Sequence, residues 1–245
     1  MRRLFLVCLV AWSACPVVGQ ELKLSDVEKS VVQIAVVKPD KTVVPCGTGF
    51  FVRDDGIVAT AFHVYSQAVQ IISEGRGGSL VIRRVVRTLG TGGTFTMGSA
   101  EVKTADASHD IILLKVLNLD HELWSKVGGT QSLSISAVTQ VDVGVPIRVV
   151  GYFGVDSFPL TLRAALVGET AVVFPGNEVD EFIVSASAVP GQSGSPVILE
   201  DGTVLGVVLS IVPVTVPFSN QPVPSGLNRV AKAEFLQRLV SSLPK

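Results

Sequence analysis

The 245-residue chain sets 20 lysines and arginines against 21 aspartates and glutamates, a net charge of −1, and only 17% of its residues are charged. That balance excludes the basic footprint of a nucleic-acid binder. Abundant valine with 23 glycines and 13 prolines argues for short strands and tight turns.

Met1–Gly19 places Arg2 and Arg3 before an apolar core from Leu4 to Ala14, with small residues at Val17 and Gly19. This reads as a cleavable secretory signal cut after Gly19, which puts the mature protein in the periplasm or outside the cell. The core is too short to span a bilayer. A lipoprotein signal ending on Cys15 is the runner-up, and Trp12, where such signals usually carry Leu, argues against it. Without the signal the net charge is about −3, Cys8 and Cys15 are gone and Cys46 is left alone. No intrachain disulfide is then possible, so core packing must hold the fold. Beside Val43 and Val44, Cys46 reads as a buried structural thiol.

From there the spacing predicts a short helix over Ser25–Ser30 with Ser25 as its cap. Strands follow over Val31–Val37, Gly47–Val52, Ile57–Thr60, Ala68–Ile72 and Leu80–Val86, separated by turn signals such as Arg53-Asp54-Asp55-Gly56. Thr88–Gly98, rich in glycine and threonine, reads as a flexible or hairpin loop. Val127–Gln140 is rich in Gly, Ser and Thr and reads as a linker, which divides the mature chain into β-rich halves at 20–130 and 131–245. The second half predicts strands over Pro146–Tyr152, Leu160–Gly168, Ala171–Phe174, Glu181–Ser185, Pro196–Leu199 and Val204–Val212. No internal repeat is apparent. Arg229–Leu243 has apolar residues at helical spacing and is expected to cap the second half.

The chemistry concentrates in Pro190-Gly191-Gln192-Ser193-Gly194-Ser195-Pro196, where a serine sits between glycines and flanking prolines. Such a turn can present the Ser193 hydroxyl to a cleft. It also brings the Gly191 and Ser193 N–H groups to one side, where they could bind the oxyanion formed when a carbonyl is attacked. A serine nucleophile needs a base, and the base an orienting group. Of the three histidines, His63 is the best placed, directly after the apolar run Ile57–Phe62. Asp110 leads into the apolar run Ile111–Leu114, and a carboxylate there is costly unless an imidazole N–H or similar group pairs with it. His109 is expected to face away from the cleft, since adjacent strand residues point to opposite faces. No histidine has a metal-ligand spacing apart from the Asp120-His121-Glu122 cluster, which reads as a solvated loop. Neither a metal nor any other cofactor is expected.

The motifs GTGFFV, ATAFHV, SHDIILLKV and PGQSGSP, in this order, resemble those of the trypsin-fold serine peptidases, and within them the HtrA/Deg-type bacterial branch without a PDZ domain. The resemblance runs from about Gln33 to Leu209. It implies an all-β fold of two six-stranded antiparallel barrels packed together with a C-terminal helix, and an active site between them. It makes His63 the general base, Asp110 its orienting acid, Ser193 the nucleophile, and the Gly191 and Ser193 amides the oxyanion hole. The family's turn is closer to GNSGGP, so Gln192 and Ser195 are departures. Digestive relatives carry an aspartate in the place of Gln192, which pairs with an N-terminus freed by cleavage; a neutral Gln192 cannot do so. In this fold the residue six before the nucleophile, Ser187, lies at the base of the substrate pocket, with Leu209, Ser210 and Ile211 as a wall. With no charge at Ser187, small or medium aliphatic residues are expected before the cut. Polypeptides, namely unfolded or damaged envelope proteins, are the implied partners, and a homotrimer is typical of the family. The alternative function is a catalytically incompetent protease-fold protein that binds or chaperones polypeptides, for which Gln192 and Ser195 are the main support.

Overall fold

The structure, a computed structural model, describes residues 24–88, 91–119, 122, 125, 131–138, 140–154, 159–174, 177–186, 189–215 and 222–244. The signal segment Met1–Gly19, the Asp120-His121 pair and Ser187 lie outside the described residues.

Helix α1 (Leu24–Ser30) leads into strands β1 (Val31–Val37), β2 (Val43–Arg53) and β3 (Ile57–Ala61). Helix α2 (Phe62–Glu74) follows, then β4 (Ser79–Thr88), β5 (Thr91–Asp106) and β6 (Ile111–Val116). These six strands close in the order β1-β2-β3-β6-β5-β4. The second half supplies β7 (Pro146–Gly151), β8 (Leu160–Phe174), β9 (Asn177–Val184), β10 (Pro196–Leu199), β11 (Val204–Thr215) and β12 (Pro222–Lys232), and ends in helix α3 (Ala233–Ser242). They close as β10-β11-β12-β9-β8-β7, the same cyclic order as in the first barrel. Closure leaves no unpaired sheet edge.

The strands that are continuous apolar runs are the ones buried along most of their length: β1, β3 and β6 have at most one residue each that is not fully buried. One core fills the first barrel through Ile34, Phe50, Ile82 and Leu114. It continues across the junction to Val150, Tyr152 and Val207 of the second barrel. A second core, around Ile147, Leu166, Phe182 and Leu205, fills the second barrel. The shared apolar contact holds the barrels together.

Several expectations need correction. Ala68–Ile72 is not a strand but part of α2. Val64 and Ala68, four residues apart, are its buried positions, and a short apolar run such as Ala-Val-Gln-Ile-Ile fits either period. The helix ends at Gly75, whose N–H reaches Ile71 O at 2.9 Å. For Thr88–Gly98 the hairpin alternative holds, since Thr88 ends β4 and Thr91–Gly98 lies in β5, the two strands pairing from Val81↔Ser99 to Thr88↔Thr91 with one register shift between Ile82 and Arg83. Leu160–Phe174 is one strand, not two. β12 was not expected; it runs through Pro222, Pro224 and Gly226, residue types that weaken a strand, and its ladder with β11 has two register shifts. Arg229–Lys232 ends that strand, and the terminal helix starts only at Ala233. That helix does not cap the second barrel alone: Phe235 and Leu236 join the core of the first. The linker stretch is bound where it is described, since Leu133 N donates to Phe51 O at 2.9 Å and Ser136 N to Val204 O at 2.8 Å.

Candidate active site

His63 stands in the first turn of α2, where backbone N–H groups lack partners within the helix. Ala61, the residue at the cap, offers no side-chain acceptor. Asp110 supplies what is missing. Its carbonyl accepts from Phe62 N at 2.9 Å, its Oδ1 accepts from His63 N at 2.8 Å, and its Oδ2 meets His63 Nδ1 at 2.6 Å. One carboxylate therefore caps the helix and grips the imidazole at once, which fixes the ring relative to its own backbone. Residues 107–110 form a turn ahead of β6, so the strand-alternation reason for turning His109 away does not apply. Its Nδ1 does bond elsewhere, to Asp106 Oδ2 at 2.7 Å.

Ser193 comes from the second barrel, between Gly191 (φ 101°) and Gly194 (φ 84°), both in the left-handed region that favours glycine. The turn is closed by Gln192 N to Val189 O at 3.1 Å and Ser195 N to Gln192 O at 3.0 Å. It is anchored to its own barrel by Gly194 N to Val208 O at 2.8 Å. Thr48 anchors it to the first: Thr48 N donates to Ser193 O at 2.8 Å, and Thr48 Oγ1 donates to Gly191 O at 2.7 Å while accepting from Tyr152 N at 2.9 Å. Among the described residues, no backbone carbonyl receives the Gly191 or Ser193 N–H. The Ser193 hydroxyl donates to Leu209 O at 3.1 Å. Leu209 falls at the register shift between Val208 and Ser210, so its carbonyl lies outside the regular ladder with β12.

His63 and Ser193 open onto one cavity of about 230 Å³. The expected wall residues Leu209, Ser210 and Ile211 line it, together with Val189, Pro190, Val208 and Asn228. Asn228 escaped the sequence reading because β12 did; it pairs with Ile211 across the ladder and is fully buried. Thr48 also escaped it, although it lies within the GTGFFV motif, because its bonds run to residues more than 100 positions away. Gln192 is fully buried, and its Oε1 accepts from Val189 N at 3.2 Å. The amide thus bonds to its own loop through Oε1, while its buried Nε2 has no hydrogen-bond partner among the described residues. Cys46 is buried, and that burial pushes its thiol up to about 11, so it lies far from the thiolate form at neutral pH. Among the described residues no group of His, Cys, Asp and Glu is arranged to hold a metal ion.

Fold and sequence together define the class: the chain belongs to the trypsin-like peptidase domain family, whose pattern matches residues 47–207. It is 26% identical over 174 residues to the magnetosome formation protease MamE of Paramagnetospirillum magneticum, covering 70% of this chain and 21% of that one, so it spans about a fifth of that relative's length. The active form of the Rv3671c protease from M. tuberculosis superposes with a TM-score of 0.63 at 20% identity, over 94% of this chain and 88% of the other. The HtrA-type protease AlgW with a tripeptide superposes with a TM-score of 0.60 at 15% identity, over 89% and 61%. At these identities the structural likeness is one of fold.

Proposed function

We propose that the protein cleaves polypeptides through an acyl-enzyme on Ser193, with His63 as general base, Asp110 as its orienting acid, and the Gly191 and Ser193 amides as the oxyanion hole. The observation that carries this reading is the double contact of Asp110 with His63. With Oδ2 on Nδ1 at 2.6 Å, the imidazole proton is held at Nδ1 and the Nε2 lone pair is free to take a proton. Attack begins when the Ser193 hydroxyl rotates about χ1 from the Leu209 carbonyl toward Nε2. Oγ then bonds to the substrate carbonyl carbon while its proton passes to His63, and the carbonyl oxygen becomes an anion facing the two amides. Collapse breaks the C–N bond, and the proton on Nε2 leaves with the amine. A water molecule, deprotonated by the same nitrogen, hydrolyses the ester and restores Ser193.

The lining of the cavity among the described residues holds no carboxylate, which supports small or medium aliphatic residues before the cut over lysine or arginine, whose buried charge would be unpaired. The signal-like segment Met1–Gly19 supports a place in the periplasm or outside the cell, and the resemblance to the HtrA branch implies unfolded or damaged envelope polypeptides as substrates. The test is turnover of casein by the purified protein and by Ser193→Ala, His63→Ala and Asp110→Asn. Each variant should lose several orders of magnitude in kcat, and combined losses should not add, because the three groups act as one unit. Near-normal turnover by His63→Ala would show that another base operates.

A further inference from the structure

We propose that His109, outside the triad, is a positioning residue: clamped between Asp106 and the ring of Phe235 on α3, it holds Asp110 in the conformation that grips His63. This rests on the reading of Asp110 as the orienting acid. Asp110 has φ 55°, a left-handed conformation that is uncommon for a residue with a β-carbon and is kept when its surroundings over-determine it. The turn's own closing bond, Asp110 N to Ala107 O, is long at 3.4 Å. The surrounding side chains supply the rest.

Asp106 Oδ1 accepts from Ser108 Oγ at 2.5 Å and from His109 N at 3.2 Å, and its Oδ2 meets His109 Nδ1 at 2.7 Å. One carboxylate thus fixes both the backbone and the ring of the residue directly before Asp110. Burial pushes Asp106 up, but the bonds from Ser108 and His109 outweigh it and hold the group below the ordinary carboxylate range. It is therefore ionised wherever the enzyme would work. The face of the His109 ring lies on Phe235, with centroids 3.6 Å apart and planes inclined by 20°. Phe235 is itself in the core, and the Arg238 guanidinium sits over its ring at 4.8 Å. The cluster requires a flat ring with an N–H on its edge: phenylalanine could stack without the bond, and asparagine could bond without the stack. Through it, a helix contributed by the end of the chain supports the acid of the first barrel.

The experiment compares kcat, KM and the pH profile of kcat/KM on one peptide substrate for wild type, His109→Ala, His109→Phe, His109→Asn, Phe235→Leu and Asp110→Asn. A misplacement of Asp110 by about 1 Å should lower kcat about 10²-fold in His109→Ala, with KM within about twofold. The acidic limb of kcat/KM should move to lower pH, since the His63 imidazolium loses part of its counter-charge. His109→Phe and His109→Asn should each recover part of the loss, and Phe235→Leu should shift kcat and the limb in the same direction with the imidazole intact. Wild-type kcat and limb in His109→Ala, with Asp110→Asn inactive, would overturn the role of His109 alone. An active Asp110→Asn would overturn the triad assignment and this proposal with it. If His109→Ala does not fold, His109→Asn and Phe235→Leu decide by the same two readouts.

Discussion

Substituting Gly151 by alanine tests how the turn that carries Ser193 accommodates Ser195, the residue that departs from the family's glycine. Gly151 ends β7 with its α-carbon against Ser195. A β-carbon there would overlap Ser195 Oγ, and would lie 3.0 Å from Ser195 Cβ and 3.2 Å from Thr48 Oγ1. Gly151 does not have a positive φ, so the penalty is one of space alone. Ser195 is fully buried, and its hydroxyl has no hydrogen-bond partner. Gly151→Ala should therefore destabilise by about 1–3 kcal/mol as an overpacked site. Ser195→Ala removes a buried, unsatisfied hydroxyl and should stabilise by about 1 kcal/mol. In the double variant the overlap with Oγ is gone and the contacts at 3.0 Å with Ser195 Cβ and 3.2 Å with Thr48 Oγ1 remain, so the alanine at 151 should cost less, with a coupling of about 1–2 kcal/mol. Urea unfolding of the four proteins, followed by circular dichroism, measures the cycle. Additivity within about 0.5 kcal/mol would refute the placement of Ser195 Oγ against Gly151. Ser195→Ala should keep its turnover, because Val208 N holds the backbone carbonyl of Ser195 at 2.9 Å whatever the side chain.

Gly194→Ala should abolish correct folding of the turn, because φ is 84° and a β-carbon would run into Thr48 O and Thr60 Oγ1; a soluble, active variant would contradict the turn geometry. For Cys46, the unfolded thiol ionises near its ordinary value of 9.0 while the folded one keeps its proton up to about 11. The unfolded state then binds fewer protons in that window, so stability should fall as pH rises from about 9 to 11, and Cys46→Ala should lack that slope in urea titrations. A thiol reagent should modify Cys46 only on unfolding. Because Gln192 fills its site with a neutral amide bonded to Val189 N, protein expressed as Gln20–Lys245 should digest casein without further cleavage. Strict dependence on a second cut inside Gln20–Val37, read by intact mass, would count against that account.

The apolar strands were legible because burial on both faces leaves an unbroken run: Val31–Val37 and Pro196–Leu199 are found with their expected ends. The His63–Asp110 pairing was legible as a motif, but not the helix that presents His63, since Phe62–Glu74 carries only two fully buried positions. What stayed hidden depends on long-range closure. β12 is proline-rich and is made a strand by its neighbours β11 and β9. Thr48 and Asn228 matter through residues far along the chain, and His109 through a helix more than 120 residues later. The shared strand order of the two barrels leaves no trace in residue identities, because many apolar sequences fill one barrel equally well.

The most direct test of the central claim is the mass of the folded protein after reaction with a fluorophosphonate, which bonds covalently only to a serine oxygen made nucleophilic by its surroundings. Wild type should gain one adduct, carried by the peptide that contains Ser193, and Ser193→Ala and His63→Ala should gain none. A folded wild-type protein that stays unlabelled, or carries its adduct on another serine, would contradict the assignment of Ser193 as the nucleophile.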